Sequence, residues 1–340
     1  MSAARVGLDA RLTRQLSVGM ATYVRELVCR LPKVAPEYVY VAFTQGGNFG
    51  WSEQVALPLA MRGARLDLVH FLSLYAPLIA PGRSIVTIHD LIHLRFPQYF
   101  KRKVGPYYRT VVRLACSRAA RVITDDERTV ADLVSLLGVE AAKIRVIPLG
   151  VDEAFFAPAT AYEGERPYLL YVGNHRPHKD LATLFAAWSA LPEEMEADLY
   201  VTGPDDFAAE LQRVGPGGRR IVVLGDVTID RLLSYYAGAR ALVQPALREG
   251  FGLPMLEAMA AGCPVVACED AVPRVLERAA LTFPARDAGA LREILVALLS
   301  GEETLRTRTI AGGREAARQL TWDRCAHATA GVYREVLEQT

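Results

Sequence analysis

The chain has 340 residues, of which 51% are hydrophobic and 23% charged, and its formal net charge is +1 at pH 7. This length is enough for two domains of ordinary size, and the composition excludes a disordered protein. The balanced charge gives no general argument for nucleic acid, and we expect no nucleic-acid partner.

Short apolar runs alternate with amphipathic helical segments, which is the pattern of a parallel α/β sheet. In the first half, strands are predicted near 5–9, 38–44, 67–70, 84–89, 121–124 and 144–147, and helices near 19–31, 100–118 and 126–137. In the second half, strands are predicted near 168–172, 197–202, 220–224, 240–244, 264–267 and 280–283. We therefore predict two doubly wound domains, over 1–154 and 168–321, joined by a linker at 155–167.

The most informative segment runs from Arg248 to Gly262, with the sequence REGFGLPMLEAMAAG. Pro254 suits a first helical position, and Gly262 suits the residue just past a helix. Glu257 is then predicted about one turn inside the helix, and Glu249 in the loop before it.

The start of this helix is predicted to bind an anion. Backbone N–H groups there point out of the helix N-terminus, where negative charge is favoured. Three residues supply them: Phe251, Gly252 and Leu253. Donors for a phosphate beside two carboxylates, which accept from hydroxyl groups, predict a site for a nucleotide sugar.

This segment, continued through the strand-like run CPVVA at 263–267, resembles the signature of the retaining glycosyltransferases of family 4. The resemblance covers nearly the whole chain. It implies the GT-B fold, in which two Rossmann-like domains face a cleft and the last helix, here 322–340, packs back on the first domain. It also implies transfer of a hexose from a nucleotide-diphosphate sugar to a hydroxyl of a glycan, lipid-linked or small-molecule acceptor.

The loop after the strand at 168–172 is the predicted diphosphate site. A lysine at such a helix start can meet a pyrophosphate as a point charge, and the resemblance gives Lys179 this role within a basic pair. The family's usual arginine positions hold Asn174 and His178 here, so either Arg176 or His178 supplies the second cation. Glu257 is expected to hold the ribose hydroxyls, and Glu249 is expected either to hold the donor sugar or to respond to charge at its ring.

Two segments of the first half complete the predicted site. Gly19 opens the first helix and resembles the glycine that lets the family's N-terminal loop approach the donor phosphate. His89 and Asp90 end a buried strand, at the edge where open parallel sheets bind ligands. The string HDLIH at 89–93 resembles the mannosyltransferase-like branch, which favours GDP-mannose and implies that His89 contacts the sugar. Asp90 is interpreted as orienting the loop.

Basic residues lie beside aromatic ones before and along the predicted helix 100–118: Lys101, Arg102, Lys103, Arg109 and Arg113. Arg109 and Arg113 are four residues apart and are predicted to share a helix face. One interpretation is peripheral contact with the inner face of a membrane, over a lipid-linked acceptor. The other is an ordinary solvated helix face.

No metal or other cofactor is expected. The acidic pairs Asp125-Asp126 and Asp205-Asp206 are interpreted as turn and cap residues. The five cysteines lack metal-ligand spacing and are predicted to be free thiols in a reducing compartment. No apolar stretch is long enough to span a bilayer, so a cytoplasmic protein is expected.

Alternative functions stay open. One is an epimerase of the same fold, and the other is a catalytically inactive paralogue that binds a nucleotide sugar or acts as a scaffold. Asn174 and Ala246, which replace residues common in the family, keep the inactive paralogue possible.

Overall fold

The computed structural model describes residues 3–11, 18–48, 50–102, 104–203 and 220–339. The chain divides into two compact units, Met1–Gly150 with Leu320–Thr340 and Val151–Gln319. Each unit is built on a six-stranded sheet in which neighbouring strands run parallel. The predicted α/β class with two doubly wound sheets is confirmed.

The sheet of the first unit has the order β2-β1-β3-β4-β5-β6, so its strand order reverses between β1 and β3. Apart from the edge strand β2, most residues of these strands are buried, because helices cover both faces of a parallel sheet. The strands are β1 Arg5–Asp9, β2 Val39–Phe43, β3 Leu68–Phe71, β4 Arg83–Thr87, β5 Arg121–Thr124 and β6 Ile144–Val146.

The helices that precede residue 150 are α1 Val18–Val34, α2 Leu57–Gly63, α3 Ile92–Arg95, α4 Val104–Tyr107, α5 Arg113–Arg118 and α6 Glu127–Leu137. The prediction of a continuous helix over 100–118 is wrong in two respects. Phe100 is extended, so it does not start the helix, and a π-helical turn at Tyr108–Val112 separates α4 from α5. Such a turn closes i→i+5 hydrogen bonds, which changes the angular spacing of the side chains along this segment.

The sheet of the second unit has the order β12-β11-β10-β7-β8-β9, so its strand order reverses between β7 and β10. Its strands are β7 Tyr168–Tyr171, β8 Asp198–Thr202, β9 Ile221–Gly225, β10 Ala241–Gln244, β11 Val265–Cys268 and β12 Leu281–Phe283. Its helices are α7 Leu181–Ser189, α8 Ile229–Gly238, α9 Leu253–Ala261, α10 Ala288–Leu299 and α11 Glu303–Arg318. Ligands of doubly wound sheets bind where the strand order reverses, at the carboxyl ends of the strands.

The segment before β7 packs within the second unit. Phe155 is buried and its ring lies 6.2 Å from that of Tyr236. The ring of Tyr162 lies 4.8 Å from that of Tyr235 and 6.1 Å from that of Tyr168. Aromatic packing therefore fixes this part of the chain on the unit that follows it.

The last described helix, α12 Trp322–Glu338, belongs to the first unit. Its Glu335 accepts hydrogen bonds from the guanidinium groups of Arg121 and Arg145, and Arg83 donates to the carbonyl of Val336 at 2.8 Å. A Cβ atom at Gly150 would lie 2.1 Å from the backbone nitrogen of Trp322, so only glycine fits at this close approach.

Within the described part of the chain, no helix is long and apolar enough to cross a membrane. All five cysteines are free thiols, as predicted, with Cys29 exposed and the other four buried.

Candidate active site

The candidate site of the second unit lies at the carboxyl ends of β7 and β10, the neighbouring strands between which the order reverses. The loop after β7 is held by backbone contacts. Gly173 donates its N–H to Thr202 Oγ1 at 3.0 Å, and Tyr171 Oη donates to the carbonyl of Asn174 at 2.6 Å. A Cβ atom at Gly173 would lie 2.9 Å from Tyr171 Oη, so this tight loop requires glycine.

Lys179 and Glu249, seventy residues apart in sequence, meet at this point. Lys179 Nζ donates to Glu249 Oε1 at 2.5 Å, and both side chains are largely shielded, with 13% and 12% of their surface exposed. The backbone N–H of Leu247 donates to the carbonyl of His178 at 2.8 Å, which ties the two loops together. The sequence predicted both residues but not their contact.

Arg176 and His178, the two candidates for the second cation, lie in different environments. His178 is only 4% exposed, whereas Arg176 is exposed. The Arg176 guanidinium makes no hydrogen bond or ion pair with the described residues, so it can turn toward an anion without breaking a contact. This difference favours Arg176.

Helix α9 begins one residue earlier than predicted, because Pro254 was predicted to be its first residue. Gly252 caps it in the left-handed conformation at φ 77°, Leu253 is the first helical residue and Pro254 the second, and Gly262 ends it at φ 81°. The backbone N–H groups that precede the first helical hydrogen bond make no hydrogen bond to the described residues; they belong to Phe251, Gly252 and Leu253. Together with the helix dipole they form a site that favours an anion.

Glu257 lies one turn into α9 and is partly buried. Tyr236 Oη donates to Glu257 Oε2 at 3.3 Å. Burial raises the pKa of Glu257 to about 7, the Tyr236 hydrogen bond opposes this shift, and the negative charge of Asp152 adds to it. The carboxyl group therefore titrates near neutral pH.

His89, in the first unit, follows β4 and forms a close pair with a residue that follows β5. Its Nδ1 lies 2.6 Å from Oδ2 of Asp125, and Asp125 is fully buried. Burial disfavours the charged imidazole, but the charge and hydrogen bond of Asp125 outweigh this, so the pKa of His89 is raised. The Nε2 atom is buried and forms no hydrogen bond to a described residue.

The interpretation of Asp125 as a turn residue is therefore wrong, whereas Asp126 does cap α6 by accepting from the N–H of Arg128 at 2.9 Å. The signal for Asp125 in the sequence was its place directly after a buried strand next to the strand of His89. Asp90 accepts from the N–H of Ile92 at 3.0 Å and orients the loop. The pair Asp205-Asp206 lies outside the described residues.

Gly19 lies in the first turn of α1 rather than in a loop, and residues 12–17, which precede this helix, lie outside the described chain. Of the predicted basic surface, Lys101, Arg102, Arg109 and Arg113 are exposed, and they form no ion pair with described residues. Lys103 is outside the described residues.

The fold matches that of solved structures. The structure of HepE from Anabaena in complex with UDP-glucose has a TM-score of 0.70 and 18% sequence identity, over 98% of this chain and 99% of that one. With its two doubly wound parallel sheets, the chain has the GT-B fold of glycosyltransferases.

Sequence comparisons give the family. Residues 26–155 match the model described as Glycosyltransferase Family 4, and residues 166–301 match Glycosyl transferases group 1. The phosphatidyl-myo-inositol mannosyltransferase of Mycobacterium leprae is 31% identical over 279 residues, 78% of this chain and 70% of the relative. O-antigen chain mannosyltransferase B of Escherichia coli is 28% identical over 272 residues, 74% of this chain and 70% of the relative. The chain belongs to glycosyltransferase family 4.

Proposed function

We propose that the protein is a retaining glycosyltransferase that moves a hexose, preferably mannose, from a nucleotide-diphosphate sugar to a hydroxyl acceptor. The observation that carries this proposal is the Lys179–Glu249 pair beside the open N-terminus of α9, at the point where the strand order of the second unit reverses. The acceptor is a glycan, a lipid-linked sugar or a small molecule.

The donor is bound in three parts. The diphosphate accepts from the N–H groups at the start of α9 and takes up positive charge from Lys179 and Arg176. The ribose hydroxyls donate to Glu257, whose carboxylate lies one turn into the same helix. Glu249 exchanges its contact with Lys179 for the donor sugar when the diphosphate draws the lysine away.

Negative charge grows on the departing diphosphate while the sugar becomes oxocarbenium-like. Fixed N–H dipoles and two cations aimed at the leaving group stabilise that charge distribution, and we propose that they do so without a metal ion. The acceptor attacks from the face that the diphosphate leaves, and a phosphate oxygen takes its proton. His89 Nε2 donates to a hydroxyl of the sugar.

The donor identity rests on relatives. Both relatives named above are mannosyltransferases, which favours mannose and therefore GDP-mannose. The solved structure of HepE contains UDP-glucose, so UDP-hexoses are the competing donors.

The test is a thermal-shift panel of GDP, UDP and ADP and their hexose conjugates, followed by a transfer assay. At a hundred times its dissociation constant, a ligand stabilises the folded protein by about 2.7 kcal/mol. We expect a shift with GDP compounds that is lost in Glu257→Ala and kept in Glu293→Ala, a control at an exposed glutamate of α10.

The alternatives give different results in the same experiments. An epimerase converts the nucleotide sugar without an acceptor. An inactive paralogue shifts with nucleotide but neither transfers nor hydrolyses the donor. The absence of any nucleotide shift would contradict the proposed function.

We also propose that the first unit contacts an anionic membrane surface. Arg109 and Arg113 are exposed without ion pairs among described residues, and the same unit exposes the apolar side chains of Trp51, Leu59 and Ile79. Exposed basic and apolar side chains together are typical of interfacial proteins.

Sedimentation with vesicles tests this contact. Each basic side chain near an anionic surface contributes about 1 kcal/mol, so Arg109→Ala/Arg113→Ala is expected to weaken binding about 30-fold. Arg231→Ala/Arg308→Ala removes the same charge from exposed positions of the second unit and should have little effect. Equal binding to neutral and anionic vesicles would contradict the proposal.

A further inference from the structure

A chain of buried hydrogen bonds connects the last helix of the first unit to the residue that packs against His89. Tyr333 Oη, on α12, lies 2.7 Å from His70 Nδ1 on β3. His70 Nε2 lies 2.8 Å from Thr87 Oγ1 on β4, and Thr87 Oγ1 lies 3.1 Å from Tyr23 Oη on α1. Four separate elements are joined by these three contacts.

The four residues joined by these hydrogen bonds are shielded from water, since none is more than 1% exposed. Burial, with a smaller contribution from His89, lowers the pKa of His70 to about 3, so the imidazole stays neutral and carries one N–H proton. A neutral imidazole donates from one nitrogen and accepts at the other. The hydrogen bonds through His70 therefore run in a single direction, and removal of either partner leaves a buried polar atom unsatisfied.

The hydrogen-bonded series that starts at Tyr333 ends at Tyr23, and the ring of Tyr23 contacts His89. The ring centroids lie 4.6 Å apart at an interplanar angle of 84°, an edge-to-face arrangement. Asp125 holds His89 through Nδ1. The imidazole is thus fixed by a hydrogen bond at Nδ1 and by an aromatic contact, while the buried Nε2 has no hydrogen-bond partner among the described residues.

The groups that face His89 come from several elements. Asp125 and Asp90 raise its pKa, as does the carbonyl of Leu72, and the neighbouring His70 remains neutral. Tyr23 contributes no charge. Its contact with His89 is therefore suited to fixing the orientation of the ring rather than its protonation.

We infer that Tyr23 is a positioning residue for His89, and that Tyr333 of α12 holds Tyr23 in place through His70 and Thr87. The inference rests on the proposed role of His89 in binding the donor sugar. It makes the final helix part of the machinery that orients this side chain, in addition to covering the sheet.

The direct test is the NMR signal of the His89 Nδ1–H proton, which a hydrogen bond to a carboxylate shifts downfield. We expect this signal in the wild type and expect it to broaden or disappear in Tyr23→Leu, because the ring can then rotate. Tyr333→Phe should weaken it. Tyr23→Phe keeps the ring and loses only the link to Thr87, so it should retain the signal better than Tyr23→Leu.

Kinetics provides the second readout. If His89 acts on the reacting sugar, Tyr23→Leu should lower kcat by about tenfold with the donor KM changed less than about twofold, and should have no further effect in a His89→Ala background. Tyr168→Phe is the control, since it removes the hydroxyl of another buried tyrosine, which donates to the Tyr235 carbonyl in the second unit.

The outcomes separate this inference from the proposed function. An unchanged His89 signal in both Tyr23→Leu and Tyr333→Phe would overturn the inference, whether or not the protein transfers sugar. Loss of the signal in a protein that shows no transfer would support the positioning role and contradict the function. If Tyr333→Phe fails to fold, Tyr23→Leu and Tyr23→Phe still decide the question.

Discussion

The Lys179→Ala variant is expected to lower kcat about 100-fold, the size of effect seen when one preorganised donor to a developing negative charge is removed. The physical reason is the position of this ammonium group beside Glu249 at the N-terminus of α9. It is also the single lysine in the sequence between residues 151 and 319, so no second lysine of this unit can replace it. Steady-state kinetics with saturating donor measures the change.

Lys143→Ala is the matched control, because Lys143 Nζ donates to the Ser117 carbonyl in the other unit. A rate within about twofold of wild type is expected there, as for surface substitutions in general. The Lys179→Ala/Glu249→Ala double variant is expected to lose less than the product of the two single losses, because the two groups contact each other. Near-wild-type turnover in Lys179→Ala would exclude it from catalysis.

Donor binding is expected to depend on pH through Glu257. With a pKa of about 7, only about one tenth of these carboxyl groups are ionised at pH 6 and about nine tenths at pH 8. Because ribose hydroxyls donate to the carboxylate, the affinity for the nucleotide should rise about tenfold over this range. Binding at pH 6 should release a proton, which calorimetry in buffers of different ionisation enthalpy detects.

In Glu257→Gln, affinity at pH 8 should fall about 30-fold, the loss of about 2 kcal/mol for hydrogen bonds to a charged group, and the pH dependence between 6 and 8 should disappear. Tyr236→Phe removes a hydrogen bond that favours the ionised form of Glu257. It should therefore move the midpoint of the pH dependence of affinity to higher pH. A wild-type affinity that stays constant from pH 6 to 8 would contradict this role.

In the absence of nucleotide, the contribution of Glu257 to folding stability has the opposite pH dependence: it falls as the pH rises. Its pKa lies above the ordinary value of 4.5. The stabilisation that comes from the buried neutral form is therefore present below about pH 4.5 and is lost as the pH rises through about 7. The Gln variant should lack this contribution, which a thermal denaturation series against pH can measure.

The strands were predictable because parallel strands covered on both faces must be apolar over their whole length. The run YLLYV at 168–172 shows this, and β7 is observed at Tyr168–Tyr171. The helix of Glu257 was predictable from Pro254 and Gly262, whose backbone preferences act locally. Local preferences of this kind can be predicted from a single sequence.

Contacts between distant segments could not be predicted from the sequence. The Lys179–Glu249 and His89–Asp125 pairs join residues 70 and 36 positions apart, and they form only when neighbouring strands place their loops side by side. The π-helical turn at Tyr108–Val112 was missed for a related reason. Its wider turn leaves no periodic signal in five residues, so the segment reads as a plain α-helix.

The position of α12 in the first unit has a consequence for biosynthesis. The second unit is continuous in sequence, so it can finish folding as soon as it leaves the ribosome, whereas the first lacks Tyr333 and Glu335 until the helix has been made. At about 5–20 residues per second, the interval between Gly150 and Glu338 lasts about 10 to 40 s. During that time His70 Nδ1 lacks its Tyr333 partner and the surface later covered by α12 is open, so we expect this unit to bind chaperones.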